Sequence, residues 1–259
     1  MNFSLEGRTY VIMGVANKRS IAWGIARSLH QAGAKLIFTY ANERFKKPVE
    51  DLVATLDGQD ALFYECDVTN DDAVKQTFDE IKQDVGVIHG LAHCIAFAQK
   101  EDLKGEFVET SRDGYLLAHN ISAYSLVAVA RAAQPLMTEG GGIVTMTYLG
   151  GERVVQNYNV MGVAKASLDA SMKYLANDLG KYGVRVNAIS AGPIRTLSAK
   201  GIGDFNSVLK DIEDKAPLRR TVTQEEVGDT AYYLLSDLSR GVTGEIIHVD
   251  SGYNILGLS

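Results

Sequence analysis

Apolar, β-branched runs alternate along this chain with stretches of helical period, and no low-complexity linker separates them. The runs are Thr9 to Val15, Lys35 to Tyr40, Ala61 to Val68, Ile88 to Ala96, Gly142 to Thr147, Arg185 to Ser190 and Glu245 to Val249. Between them Ile21 to Gln31, Glu43 to Leu56, Asp71 to Gln83, Tyr115 to Met137, Val160 to Lys181 and Glu225 to Ser236 repeat apolar residues at the spacing of one helix face. Parallel strands need long crossovers, and a helix is the usual one. The alternation therefore predicts an α/β chain: a doubly wound, seven-stranded parallel sheet flanked by helices, with ligands at the carboxyl ends of the strands near the point where strand order reverses.

Local punctuation agrees. Ser20 stands where it can cap a helix starting at Ile21, and Gly33 follows that helix's last periodic residues. Thr223 with Glu226 makes a capping-box pattern before Val227.

A chain of 259 residues can bury one large core, so residues 1–259 are expected to form a single domain. A net charge of -6 argues against nucleic acid as partner, because neutralising phosphates takes an excess of Lys and Arg. The charge is uneven: between Arg195 and Arg220 six basic residues face four acidic ones, a bias that suits either a mixed solvated surface or an acidic partner. Cys66 and Cys94 lie far apart in apolar stretches without metal-ligand spacing, which reads as reduced core thiols in a cytoplasmic protein. The five histidines share no ligand spacing either, so no metal is expected. The amino terminus has no charged start followed by an apolar run, and no window is long and apolar enough for a membrane span; no membrane is expected as partner.

The first run leads into Gly14-Val-Ala-Asn-Lys-Arg-Ser20-Ile21. A glycine there allows a tight turn and close approach of a pyrophosphate, and a helix start at Ser20 offers backbone N–H groups to an anion. The three-glycine fingerprint is incomplete, so the loop alone suits a nucleotide site and a plain strand-to-helix connection equally. Other strand ends favour the nucleotide. Asp67, before Val68, could accept from an adenine amino group, though a lone aspartate there is more often a helix cap. Ala92 to Ala96, with Ile95, could line a ribose. After the second run Tyr40 and Ala41 occupy the place of the carboxylate that usually reads the ribose hydroxyls, with Arg44 and Lys46 near enough to assist a phosphate or simply exposed. NADH is the expected cofactor, with NADPH left open.

Tyr158 and Lys165 are seven residues apart on one helical period, hence on nearly the same face and roughly 10 Å apart along the axis. They are too distant for a contact pair and suit two stations on one extended ligand. Each alone is ordinary, a half-buried tyrosine and a solvated lysine. A second tyrosine, Tyr148, lies upstream in Thr145-Met-Thr-Tyr148.

Together, Gly14 with Ser20-Ile21-Ala22, Asp67-Val68, Cys94-Ile95-Ala96, Tyr148, Tyr158 with Lys165, and Val186 to Thr196 resemble the short-chain dehydrogenase/reductase superfamily. Within it they resemble the divergent NAD(P)H-dependent enoyl-acyl carrier protein reductases of bacterial fatty acid synthesis. Typical superfamily members have a glycine-richer loop, a tyrosine four residues before the lysine and a serine on the preceding strand. The longer loop, the seven-residue spacing and Tyr148 are the enoyl reductase pattern. The resemblance implies a Rossmann-like domain that reduces the trans-2 double bond of an enoyl thioester on acyl carrier protein. Hydride would reach the β-carbon while charge develops on the thioester oxygen, and the Tyr158 hydroxyl would meet that oxygen. Lys165 would hold the nicotinamide ribose, its cation favouring phenolate at Tyr158. Tyr148 would shape or gate the acyl pocket, with Ala98, Tyr158 and Met161 also lining it. Ile194, Arg195, Thr196, Leu197 and Ser198 would lie against the nicotinamide carboxamide. The stretch of about 195–215, containing Gly201 and Gly203, would be a mobile lid, with Lys200 and Lys210 candidates for docking the acidic carrier protein. The closing strand would pack in a homotetramer. The alternatives are a carbonyl reductase of the same superfamily and a non-enzymatic dinucleotide sensor on this fold.

Overall fold

The computed structural model describes residues 3–58, 60–196 and 205–257. Seven parallel strands form one sheet: β1 (Thr9–Met13), β2 (Lys35–Tyr40), β3 (Leu62–Glu65), β4 (Gly90–His93), β5 (Gly141–Thr147), β6 (Val184–Ala191) and β7 (Ile246–Val249), in the order β3-β2-β1-β4-β5-β6-β7. The order reverses between β1 and β4, so the crevice beyond these two strand ends is the place for a ligand. Among the described residues eight α-helices cover the sheet: α1 (Ile21–Gln31), α2 (Glu43–Val53), α3 (Asp71–Asp84), α4 (Arg112–His119), α5 (Ser125–Ala133), α6 (Asn159–Leu179), α7 (Phe205–Lys215) and α8 (Gln224–Leu235).

Successive side chains on a strand point to opposite faces. In β1, Val11 and Met13 join the core beneath α3, α5 and α6, while Tyr10 and Ile12 join the one beneath α1, α2 and α8. Burial on both faces is why the strands read as continuous apolar runs. On the second face α1 and α8 approach through glycines. A Cβ on Gly24 would stand 2.5 Å from the Gln224 carbonyl oxygen, and one on Gly228 would stand 2.5 Å from that of Gly24.

Two expectations change, and one helix is added in the stretch read as a lid. The helix expected over Tyr115 to Met137 is α4, a π-turn at Asn120–Tyr124, α5 and a final 3-10 turn at Gln134–Leu136. Hydroxyls explain the break: Ser122 Oγ accepts from the Phe97 amide at 3.0 Å and donates to its carbonyl at 3.1 Å, and Ser125 Oγ donates to Ile121 O at 2.6 Å. Within 195–215 the chain forms helix α7, where Leu209, Ile212 and Ala216 just beyond it are buried at helical spacing. Ser20 does not cap α1; its Oγ turns back to accept from the amides of Ala16 and Asn17 at 3.0 and 3.1 Å. The capping box at Thr223 and Glu226 forms as expected, and an ion pair to Arg220 holds Glu226 well below the usual carboxylate range, at about 2.

Candidate active site

Gly14 ends β1 with φ +97°, and a Cβ there would collide with the carbonyl oxygen of Cys94 at the end of β4. The glycine thus lets the two loops of the crevice touch backbone to backbone. Gly14→Ala meets both a strained φ and this contact, so it is expected to cost roughly 3 kcal/mol and about 6–12 °C in Tm. Thermal unfolding measures it, and an unchanged Tm would refute the contact.

Beyond Gly14 the loop is pinned by Ser20, which leaves the first-turn N–H groups of α1 without a side-chain cap. That turn contains no acidic residue. Uncapped amides at the positive end of a helix fit a pyrophosphate. Ile21 is half-buried there and Ala41 is exposed at the end of β2. Nearby, Lys46 faces Glu43 at 3.6 Å and the Arg44 guanidinium lies 4.8 Å from the centre of the Phe45 ring. Asp67 Oδ1 accepts from the amide and hydroxyl of Thr69, so it shapes a turn; the cap of α3 is Asn70, whose Oδ1 accepts from Asp72 and Ala73. Val68 is buried and Ile95 half-buried beside it in the core under α3. On the far side of the crevice Ile194 packs against the second core, and Arg195 donates to Asn206 Oδ1 of α7 at 2.6 Å. The Thr196 amide donates to Ile194 O at 2.7 Å. Leu197, Ser198, Lys200, Gly201 and Gly203 lie outside the described residues.

Tyr158 is the residue before α6, and Lys165 lies two turns into that helix. Tyr148 follows β5 and meets Tyr158 edge to face, ring centres 5.0 Å apart. Gly150 allows the approach: a Cβ there would overlap the Tyr158 ring. Lys165 is 5% exposed, and its Nζ donates to the Met146 carbonyl at 2.7 Å. An ammonium has three donors, so two remain for a ligand's hydroxyls. Burial pulls this lysine down to about 8, with Asp169 the strongest opposing charge. The Tyr158 hydroxyl was expected to be a donor with its pKa lowered by the Lys165 cation; that lowering is absent, and Lys165 is not among the groups that shift the phenol. Burial, then Tyr148 and Asp169, push the Tyr158 phenol far above the ordinary tyrosine range. Tyr148 is likewise pushed up to about 12, by burial and then by Tyr253 and Asp250. Both tyrosines are therefore O–H donors at neutral pH, the form that can hydrogen-bond a developing oxyanion.

Tyr158 and Ala98 pack against an apolar cluster of Leu103, Ala118, Val160, Met161 and Ala164. The residues expected to line an acyl pocket are thus together, although they come from the loop after β4 (Ala98), the turn after β5 (Tyr148) and the start of α6 (Tyr158, Met161). The histidines stay outside the site's chemistry: His93 is fully buried, bonded to Thr145 Oγ1 at 3.0 Å and Ser125 Oγ at 2.8 Å, and pulled down to about 3 by burial. Sequence reasoning missed the Met146 carbonyl, Ser122, Thr147 and Asp169. Only Asp169 carried a signal, its place one turn after Lys165.

A family model described as enoyl-(acyl carrier protein) reductase matches residues 14–254. An NADH-dependent enoyl-[acyl-carrier-protein] reductase of Bacillus cereus is 74% identical over 253 residues, covering 98% of this chain and 99% of the relative. An NADPH-dependent one of Staphylococcus aureus is 63% identical over 253 residues, with the same coverage of each. The crystal structure of a Bacillus cereus enoyl-acyl carrier protein reductase with NADP+ and an indole naphthyridinone superposes with a TM-score of 0.97 at 73% identity, covering 100% of both chains.

Proposed function

The chain belongs to the enoyl-(acyl carrier protein) reductase family, and from that premise we propose how its own residues serve the reaction. It is an enoyl-[acyl-carrier-protein] reductase of fatty acid synthesis, an oxidoreductase that saturates the trans-2 double bond of the carried acyl chain. NADH supplies the hydride that adds to the β-carbon.

The observation that carries the residue roles is the half-buried Tyr158, its phenol held protonated, facing Tyr148 above the Ala98 and Met161 cluster. Its O–H donates to the thioester oxygen as the double-bond electrons shift towards the thioester carbon and the carbonyl pair moves onto that oxygen, and the enolate collapses by re-forming the carbonyl and taking a proton from solvent at the α-carbon. Tyr148 orients the acyl chain against Met161. Lys165, braced by the Met146 carbonyl, offers its remaining N–H groups to the nicotinamide ribose, and the uncapped start of α1 at Ser20 and Ile21 takes the pyrophosphate. Gly14, Ala41, Asp67, Val68, Ile95 and residues 194–198 complete the cofactor's bed.

Residues 195–215 act as a lid. The Arg195 bond to Asn206 ties its entry to α7, and Tyr253 donates to Asp211 of α7 at 3.1 Å. The basic residues of this stretch, Lys200 and Lys210 among them, receive the acidic carrier protein. β7 pairs only with β6, and its residues are half-buried while β1 is fully buried. A homotetramer would cover this edge. No helix among the described residues is long and apolar enough to cross a membrane, and we assign the enzyme to the cytoplasm.

The test is the initial rate of NADH oxidation with crotonyl against acetoacetyl thioester. Crotonyl thioester is expected to be favoured by roughly two orders of magnitude in kcat/KM. Faster turnover of acetoacetyl thioester would make the enzyme a ketone reductase and overturn the reading.

A further inference from the structure

Behind Lys165 lies a polar pair that the reaction so far does not use. Asp169 follows Lys165 by four residues on α6, which puts the two side chains on one face of the helix a turn apart. Asp169 is 7% exposed, and Thr147 at the end of β5 is 4% exposed. Among the described residues neither Asp169 Oδ1 nor Thr147 Oγ1, both buried, has a partner at good hydrogen-bond geometry, yet the Thr147 hydroxyl is near enough to lower the Asp169 carboxyl. Gly151 closes over the other carboxylate oxygen, leaving room for no larger residue: a Cβ there would stand 2.9 Å from Asp169 Oδ2. A carboxylate so enclosed is costly unless a cation answers it.

We propose that Asp169 is a positioning residue for the reduction: set against Thr147, its carboxylate is the buried counter-ion that keeps Lys165 an ammonium and so keeps that lysine's donors available to the cofactor ribose. The second half rests on the ribose role given to Lys165 above.

The surrounding groups single out Asp169. Cys94, facing Lys165 from the end of β4, is pushed up to about 12 by burial, and His93 is pulled down to about 3, so both are neutral at pH 7. The Tyr148 and Tyr158 phenols are neutral as well. Burial pushes the Asp169 carboxyl up; the Thr147 hydroxyl and then Lys165 oppose it, with smaller effects of Glu152, from the turn after β5, which raises it, and Lys173, on α6, which lowers it. Burial favours the neutral form of both Lys165 and Asp169, while attraction between them favours the charged form of both. An ammonium can hold two ribose hydroxyls as a charge-assisted donor; a neutral amine gives that up.

The test reads Lys165 directly, as the 13Cε shift of labelled lysine in the ligand-free protein across pH. In Asp169→Asn the midpoint is expected to fall below that measured for the wild type by about one unit or more. The alkaline limb of kcat/KM should move to lower pH with it, NADH binding should weaken at pH 8, and Asp169→Glu should return both towards wild type. A Lys165 midpoint that does not move would overturn the proposal, whatever happens to Tm. Where Asp169→Asn fails to fold, the reciprocal measurement decides. Lys165→Met should raise the Asp169 carboxyl midpoint, and an unmoved carboxyl overturns the pair. A shifted lysine with unchanged NADH affinity would leave the ion pair standing and sink the ribose role instead.

Discussion

Tyr158→Phe is expected to lower kcat/KM for a short enoyl thioester by about 10²- to 10³-fold, the usual loss when one donor to a developing oxyanion is removed. The substitution deletes one oxygen and keeps the ring, so the edge-to-face contact with Tyr148 and the packing beside Met161 survive. NADH affinity and Tm should stay near wild type, which separates lost chemistry from lost structure. The pH profile adds a second check. Because the phenol is held protonated far above its ordinary range, no rise of rate with pH from tyrosine ionisation should appear between about pH 6 and 8. A variant with wild-type turnover would end the assignment of Tyr158, and an ionisation of Tyr158 within that range would restore the phenolate.

Lys165→Met should act on the cofactor first. Methionine fills much of the lysine's volume but offers no donor, so two charge-assisted bonds to a ribose are lost, each worth about 1.5–3 kcal/mol. NADH dissociation constants measured by fluorescence are expected to rise by roughly 10²-fold or more. The loss of the bond to the Met146 carbonyl adds a cost in stability of about 1 kcal/mol. Unaltered NADH binding would show that the lysine braces the strand end and does nothing for the cofactor.

The features legible in sequence were those set by local pattern. The β-branched runs located every strand, because each face of a parallel sheet is covered and the alternation of faces leaves no polar gap. Ladder ends were not legible. The run from Ala61 to Val68 pairs only over Leu62–Glu65, since β3 has a single neighbour and its partner stops at Tyr40. The π-turn at Asn120–Tyr124 depends on Ser122 meeting Phe97, a contact twenty-five residues away that periodicity cannot show. Helix α7 went unread although Leu209, Ile212 and Ala216 stand at helical spacing, because Gly201 and Gly203 directed the reading of that stretch to a lid. At the site, Tyr158 and Lys165 were readable because one helix carries both. The ionisation of Tyr158 was not, because its own burial, with Tyr148 and Asp169 beside it, pushes the phenol up, while the lysine expected to act on it is held on the Met146 carbonyl.

The glycine contact between α1 and α8 joins parts of the chain made far apart in time. Gln224 Nε2 donates to the carbonyl of Ser20 across 204 residues, and Ser28 Oγ to Asp229 across 201. At about 5–20 residues per second on the ribosome, that interval is roughly 10–40 s. Throughout it α1, whose uncapped start is the proposed seat for pyrophosphate, has no α8 to lie against. The first helix therefore gains its α8 support only after that interval, and a chain interrupted before α8 leaves the ribosome with the apolar flank of its first helix bare.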